Sequence, residues 1–185
     1  MSPEGPGPAR IVGPRPYGGG MGSGRVYVDC ETTGLQDDAE MIEVAVVDDD
    51  GSVLFESLLR PVLEHETIAT DVHGITLDML SSAPLLAEVA DQLAAALEGS
   101  VVVAHNRDYD IGQLEQAWAL HGLPTAHWAG TDCTMEAAAA RFRHGRRISL
   151  HDTMAALGID PPPGAHRATR DAQCARLVDR ALHSA

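Results

Sequence analysis

Asp29 and Glu31 are the residues whose types and spacing most directly offer chemistry. They lie in Val26-Tyr27-Val28-Asp29-Cys30-Glu31-Thr32-Thr33-Gly34-Leu35, which reads as a short strand running into a Gly turn. Side chains alternate between the faces of a strand, so Asp29 and Glu31 share one face while Val28 and Cys30 share the other. Neighbouring carboxylates repel, and one tends to pick up a proton, so a site that keeps both ionised supplies a cation. That chemistry points to a divalent metal. The alternative is a chance Asp-x-Glu on a solvated edge, in a chain with 27 acidic residues. His166 and Asp171 pose the same choice. About one and a half helical turns apart, they either converge on one site or are a loop residue and an exposed helix position.

The elements that must position these groups can be read from periodicity. Residues 41–47 and 53–59 are β-rich, and Asp48-Asp49-Asp50-Gly51 between them suits a tight, solvated turn, so an antiparallel hairpin is expected. Pro84 suits the first turn of a helix whose Leu86, Val89, Ala90, Leu93 and Leu97 recur at helical spacing. Residues 101–104 (VVVA) form a continuous apolar run, as in a strand buried on both faces. That run breaks into the polar segment His105-Asn106-Arg107-Asp108-Tyr109-Asp110, before a helix with Ile111, Leu114 and Trp118 on one side and Gly122 as its stop. An acidic segment thus sits at the carboxyl end of a buried strand, where open α/β sheets bind ligands. Further on, a brief strand is expected around 131–133, an Ala-rich helix over 135–143, and a helix over 149–157 opened by a loose capping box from Ser149 to Asp152. After the break at Pro161-Pro162-Pro163-Gly164, a last helix should run over about 167–182 and pack through Ala168, Ala172, Ala175 and Val178. Hairpin strands followed by alternating helices and short buried strands predict an α/β fold, a mixed sheet with helices on its faces.

Length and composition bound the setting. The 185 residues suit one domain with its own core, expected over 25–185, while the Pro- and Gly-rich residues 1–24 read as a flexible tail. No apolar run is long enough to cross a bilayer, and no secretory signal opens the chain. Cys30, Cys133 and Cys174 are odd in number and far apart, as suits reduced thiols. A soluble, cytoplasmic protein with no membrane partner is expected. The net charge of −14 would repel a polyanion, so a nucleic-acid partner must be held by a local basic patch or a bound metal. The dense basic stretch is Arg141, Arg143, Arg146 and Arg147 with Phe142 interleaved; it is either a solvated face or a guide for substrate phosphates.

Three segments, in order, carry a resemblance: Asp-x-Glu-Thr-Thr-Gly at 29–34, His-Asn-x-x-Tyr-Asp at 105–110 and His-x-x-x-x-Asp at 166–171, with Val72-His73-Gly74-Ile75-Thr76 between the first two. The set resembles the DEDDh 3′-5′ exonuclease family, which includes the proofreading exonuclease subunit of bacterial DNA polymerase III and the stand-alone exonuclease X type. The likeness extends over nearly the whole chain from Arg25 onward, with Arg107 and Asp108 standing where small residues are common. It implies a ribonuclease H-like mixed five-stranded sheet with helices on both faces. It also implies a catalytic set of Asp29, Glu31, Asp110, His166 and Asp171. By resemblance, Asp29 bridges two divalent cations, Mg²⁺ or Mn²⁺, Glu31 and Asp171 complete one site, and Asp110 holds the other. Oxygen ligands suit such hard cations, and His166 matches the general base. The approach to His166 through prolines and glycine is expected to let it move over the bound end. Thr32, Thr33, Gly34 and Leu35 should lie along the terminal nucleotide, His73 near it, and Asn106 in support.

The implied activity is metal-dependent release of nucleoside 5′-monophosphates from a single-stranded 3′ end, of DNA ahead of RNA, in a setting such as DNA repair. Thr-Thr-Gly-Leu is nearer the DNA-proofreading spelling. Cys133-Thr134-Met135 with Pro162-Pro163-Gly164 ahead of His166 is similar to the exonuclease X type. The alternatives are an RNA-directed 3′-5′ exoribonuclease of the same fold and an inactive nucleic-acid or partner-binding module. The chain stops at Ala185, short of the polymerase-binding extension common in proofreading subunits, so permanent polymerase attachment is not expected; a polymerase or homodimer partner stays open.

Overall fold

The computed structural model describes the backbone of residues 10–11 and residues 24–65, 68–142, 147–163 and 166–184 in full. Most of the expected tail, together with Arg143, Arg146 and Gly164, lies outside the described residues.

The first element, β1 (Arg10–Ile11), pairs antiparallel with β4 (Val53–Leu58). β4 pairs with β3 (Met41–Asp48), and β3 with the central strand β2 (Arg25–Thr32), both antiparallel. On the other side β2 runs parallel to β5 (Val101–Ala104), and β5 parallel to β6 (Gly130–Cys133). The order is β1-β4-β3-β2-β5-β6. The five strands from Arg25 onward are the expected mixed sheet, and β1 adds a two-residue sixth strand at its edge. Composition did not mark β1, because an edge strand can form through main-chain donors and acceptors alone.

Helices α1 (Thr70–His73), α2 (Leu77–Ser81) and α3 (Leu86–Leu97) follow the hairpin. Next come α4 (Arg107–Leu120), α5 (Thr134–Phe142), α6 (Leu150–Leu157) and α7 (Ala168–His183). Pro84 lies just outside α3; the start of the helix is held by the Glu88 carboxylate, which accepts from Leu85 N at 2.7 Å. Helix α4 begins at Arg107, four residues before the Ile111 at which its apolar stripe starts, and this puts Asp110 inside its first turn.

Alternation on β2 sorts its residues between two different layers. Val26, Val28 and Cys30 join Val44, Val46 and Phe55 of the hairpin, Val89, Leu93 and Leu97 of α3, and Leu114 and Trp118 of α4 in the main core. Fully burying a side chain such as Leu93 or Leu97 stabilises the fold by about 2 kcal/mol. Tyr27 packs on the opposite face with Val47, Val103 and Ala172 of α7. Ala168, Ala172 and Ala175 are buried along α7. Small side chains there let the helix lie close to the sheet, on the face to which Asp29 and Glu31 also point.

Candidate active site

The C-terminal end of β2, the first turn of α4 and the first turn of α7 meet at one place. Asp29, Glu31 and Asp171 each bring one carboxylate oxygen to within 4.8 Å of the others. Asp110 joins from α4: its Oδ1 accepts from Cys30 N, between the two β2 acids, at 3.2 Å. The neighbouring carboxylate of Asp108 is turned to Arg107 and exposed.

Crowding sets the electrostatics. Burial, followed by repulsion from Asp110, Asp171, Glu31 and Glu43, holds Asp29 well above the usual carboxylate range. Burial and then repulsion from Glu43 and Asp171 push Glu31 up to about 7, against the opposing pull of Arg167. Burial likewise pushes Asp110 up to about 7, although the backbone N–H groups of Cys30 and Asp110 favour its charge. These acids cannot all ionise together at neutral pH without a compensating cation. An all-oxygen donor set of this kind fits a hard divalent ion.

Asp171 is gripped from two sides. Arg170 Nη1 donates to Oδ1 at 2.7 Å, and His166 Nδ1 lies 3.4 Å from Oδ2. Arg170 Nε also donates to Pro162 O at 3.1 Å, tying the loop after α6 to α7. The His166 side chain is 66% exposed, at the mouth of the acidic cluster. Because Gly164 and Ala165 lie outside the described residues, the expected movement of this loop is left untouched.

The remaining predicted residues lie at the end of β2 and in the turn after it, in α1 and at the start of α4. The Thr32 and Tyr109 hydroxyls are 2.6 Å apart, and both reach Gly34 O, at 2.8 and 3.2 Å. Thr33 Oγ1 accepts from Glu40 N, and Thr33 N donates to Glu40 O. The turn is therefore braced, while Leu35 at its tip is 89% exposed. His73 is buried in α1, its Nδ1 accepting from Ile75 N at 3.0 Å, and burial lowers its pKa. Asn106 accepts from Tyr109 N through its carbonyl and from Arg147 Nη2 through its side chain. Beside it, buried His105 bridges Thr134 Oγ1 and Ile148 O, at 2.9 and 3.0 Å. Arg107 is spent on Asp108 and Glu136.

Sequence reasoning passed over Glu43. It sits opposite Glu31 in the β2–β3 register and is buried, with both carboxylate oxygens bonded. The available clue was a lone acid inside the otherwise apolar run 41–47.

A second group, Asp132, Asp179 and His183, also has ligand-like spacing. Arg25 compensates its carboxylates, donating to Asp132 at 2.7 Å and to Asp179 at 2.9 and 3.0 Å. Among the described residues no helix is long and apolar enough to cross a membrane.

A mixed sheet flanked by helices, with acids gathered at the end of its central strand, is the architecture of ribonuclease H-like nucleases. The exonuclease family (RNase_T) matches residues 26–177. The chain is 31% identical over 158 residues to the "uncharacterized exonuclease CP81" of Escherichia phage 186, covering 80% of this chain and 81% of that protein. It is 29% identical over 162 residues to DNA polymerase III subunit epsilon of Escherichia coli K12, covering 80% and 67%. RNA exonuclease 4 of Neurospora crassa is 27% identical over 157 residues, of which 37% of the length is spanned. Only 11% of the PolC-type DNA polymerase III of Thermotoga petrophila is spanned. Among solved structures, exonuclease X bound to 5′-overhanging duplex DNA superposes with a TM-score of 0.61 at 28% identity, covering 87% of this chain and 92% of that one. The chain belongs to the exonuclease family, among 3′-5′ exonucleases of the DEDDh type.

Proposed function

We propose that the domain over 25–185 hydrolyses the terminal phosphodiester at the 3′ end of DNA and releases nucleoside 5′-monophosphates. The observation that carries this reading is the gathering of Asp29, Glu31 and Asp171 within 4.8 Å, with Asp110 one residue's backbone away. These four would hold two divalent cations, Mg²⁺ or Mn²⁺. Such ions, when bound, stabilise charge on the attacking and leaving oxygens of an in-line displacement.

The chain's own groups do the rest. His166 accepts the proton of the attacking water; with Nδ1 3.4 Å from Asp171 Oδ2, Nε2 is the nitrogen left for that proton. Thr32, Thr33 and Gly34 form a braced turn suited to seat the terminal nucleotide, and exposed Leu35 offers a base an apolar face. His73 and Asn106 support that seat from either side. Arg147 guides a phosphate of the same strand.

DNA is favoured over RNA by the relatedness to a DNA polymerase III subunit and to the DNA-bound exonuclease X. The Neurospora relative keeps an RNA substrate as the second reading. A cytoplasmic DNA repair role, beside a polymerase or as a homodimer, is the setting this function fits. The test is release of mononucleotides from 3′-labelled DNA and RNA, single- and double-stranded, in Mg²⁺ or Mn²⁺ beside Asp29→Ala. Fastest release from single-stranded DNA ends is expected. Equal release by the variant, or none by the wild type, would leave a binding module that has lost activity.

A further inference from the structure

Glu43 is a fifth acid on the carboxylate face and is 1% exposed, yet it lies outside the cluster formed by Asp29, Glu31 and Asp171. Its oxygens are already taken. Oε1 accepts from Arg167 Nε at 2.9 Å and from Nη2; Oε2 accepts from the same Nε at 3.1 Å and from Ala168 N at 2.9 Å. Ala168 opens α7, so its N–H is one of the helix donors with no acceptor inside the helix. A carboxylate at that position also complements the helix dipole. Arg167, at the N-cap, makes no side-chain cap bond to its own helix. The start of α7 is thus tied to the middle of β3 by a forked ion pair and a main-chain bond. His166 immediately precedes Arg167, and Asp171 follows one turn on.

We propose that Glu43 and Arg167 are positioning residues: the pair fixes where α7 begins on the sheet, and so places His166 and Asp171 against Asp29 and Glu31. The proposal rests on the catalytic reading above for its kinetic readout, and it has two further readouts that do not. Removing Arg167 alone leaves a buried, uncompensated carboxylate facing Glu31, whereas removing the charge of both partners does not. Lysine keeps the charge but loses the planar fork.

The experiment compares Arg167→Lys, Arg167→Ala, Glu43→Gln and the Arg167→Ala/Glu43→Gln double variant. Three quantities are measured: kcat and KM on a DNA oligonucleotide, Mn²⁺ affinity by calorimetry, and amide hydrogen exchange at Ala168 in metal-free protein. Misplacing reacting groups by about 1 Å costs on the order of 10²-fold. A fall of that size is expected in kcat for Arg167→Ala, with KM little changed, weaker Mn²⁺ binding and faster exchange at Ala168. Arg167→Lys should recover part of kcat, and the double variant should lose less than the sum of the singles. Folded variants with wild-type kcat, Mn²⁺ affinity and exchange would overturn the proposal, as would variants that lose only thermal stability. If Glu43→Gln does not fold, Arg167→Lys, at the more exposed end of the pair, decides the matter. If the wild type releases no nucleotide, the catalytic reading fails while metal affinity and amide exchange still decide the role of the pair.

Discussion

Val26, Val28 and Cys30 face α3 and α4, whereas Tyr27 and, by alternation, Asp29 and Glu31 face α7. The first face is closed chiefly by Leu, Val and Trp side chains, with polar ties from α4 only at its site end, where Asp110 meets Cys30 N and Tyr109 meets Thr32. The second is closed by the alanines of α7 and by polar ties at both ends of that helix. Near the site Glu43 holds Arg167 and Ala168 N; far from it Arg25 joins Asp179 and Asp132, and Tyr27 OH lies 3.0 Å from Asp179 Oδ2. One strand thus separates the stabilising layer from the reactive layer by a period of two residues. A helix held by directional bonds can place acids more finely than one held by apolar contact, because hydrogen bonds weaken steeply when misaligned.

The contrast predicts opposite mutational signatures. Asp29→Asn should lower mononucleotide release by at least about 10³-fold, since several kcal/mol of transition-state charge stabilisation is at stake. The same change should raise the melting temperature of metal-free protein, because one of several mutually repelling buried acids is gone. A parallel fall in activity and melting temperature would erase the distinction between the faces. Leu93→Ala, on the other face, should cost about 2–5 kcal/mol in urea unfolding while the folded fraction keeps its kcat.

A smaller effect concerns pH. Glu31 and Asp110 are raised to about 7 in the folded chain, against about 4 for unfolded carboxylates. The folded state therefore holds protons that the unfolded state releases. The stability this contributes is fully present below the unfolded value and is lost as pH rises through about 7. Metal-free protein should melt at progressively lower temperature from pH 5 to 8, and saturating Mn²⁺ should flatten that slope. A metal-free melting temperature that rises over this window contradicts the assigned crowding. The smallest effect is at the rim. Arg147→Glu should raise KM on single-stranded DNA and reduce its log–log salt slope by ~0.7 for the lost phosphate contact. An unchanged slope would return Arg147 to a purely structural tie with Asn106.

Strands β3, β4 and β5 and helix α3 were legible because each is a mainly apolar run or stripe bounded by turn or polar residues. The start of α4 was hidden because its first turn, Arg107 to Asp110, is polar and looks like loop; the helix nonetheless begins there, with the Asn106 carbonyl accepting its first main-chain bonds from Tyr109 N and Asp110 N. Spacing on a single strand sufficed to pair Asp29 with Glu31. Bringing Asp171 to them needed a fold in which α7 returns across β2 and β3, which the three ordered motifs anticipated through resemblance and no local pattern contained. Glu43 was invisible for a related reason. In sequence it is a polar interruption of a strand, and only the pairing of Glu31 with Glu43 puts it on the reactive face.

Two anchors on one rigid rod also limit how that rod can change. Asp171 and Asp179 are eight residues apart on α7, a span of about 12 Å at the helical rise. Each residue inserted or deleted between them turns everything beyond it by about 100°. A one-residue insertion in this interval can keep the Glu43 tie or the Arg25 tie, but not both. Length variation should therefore be excluded from this stretch of helix.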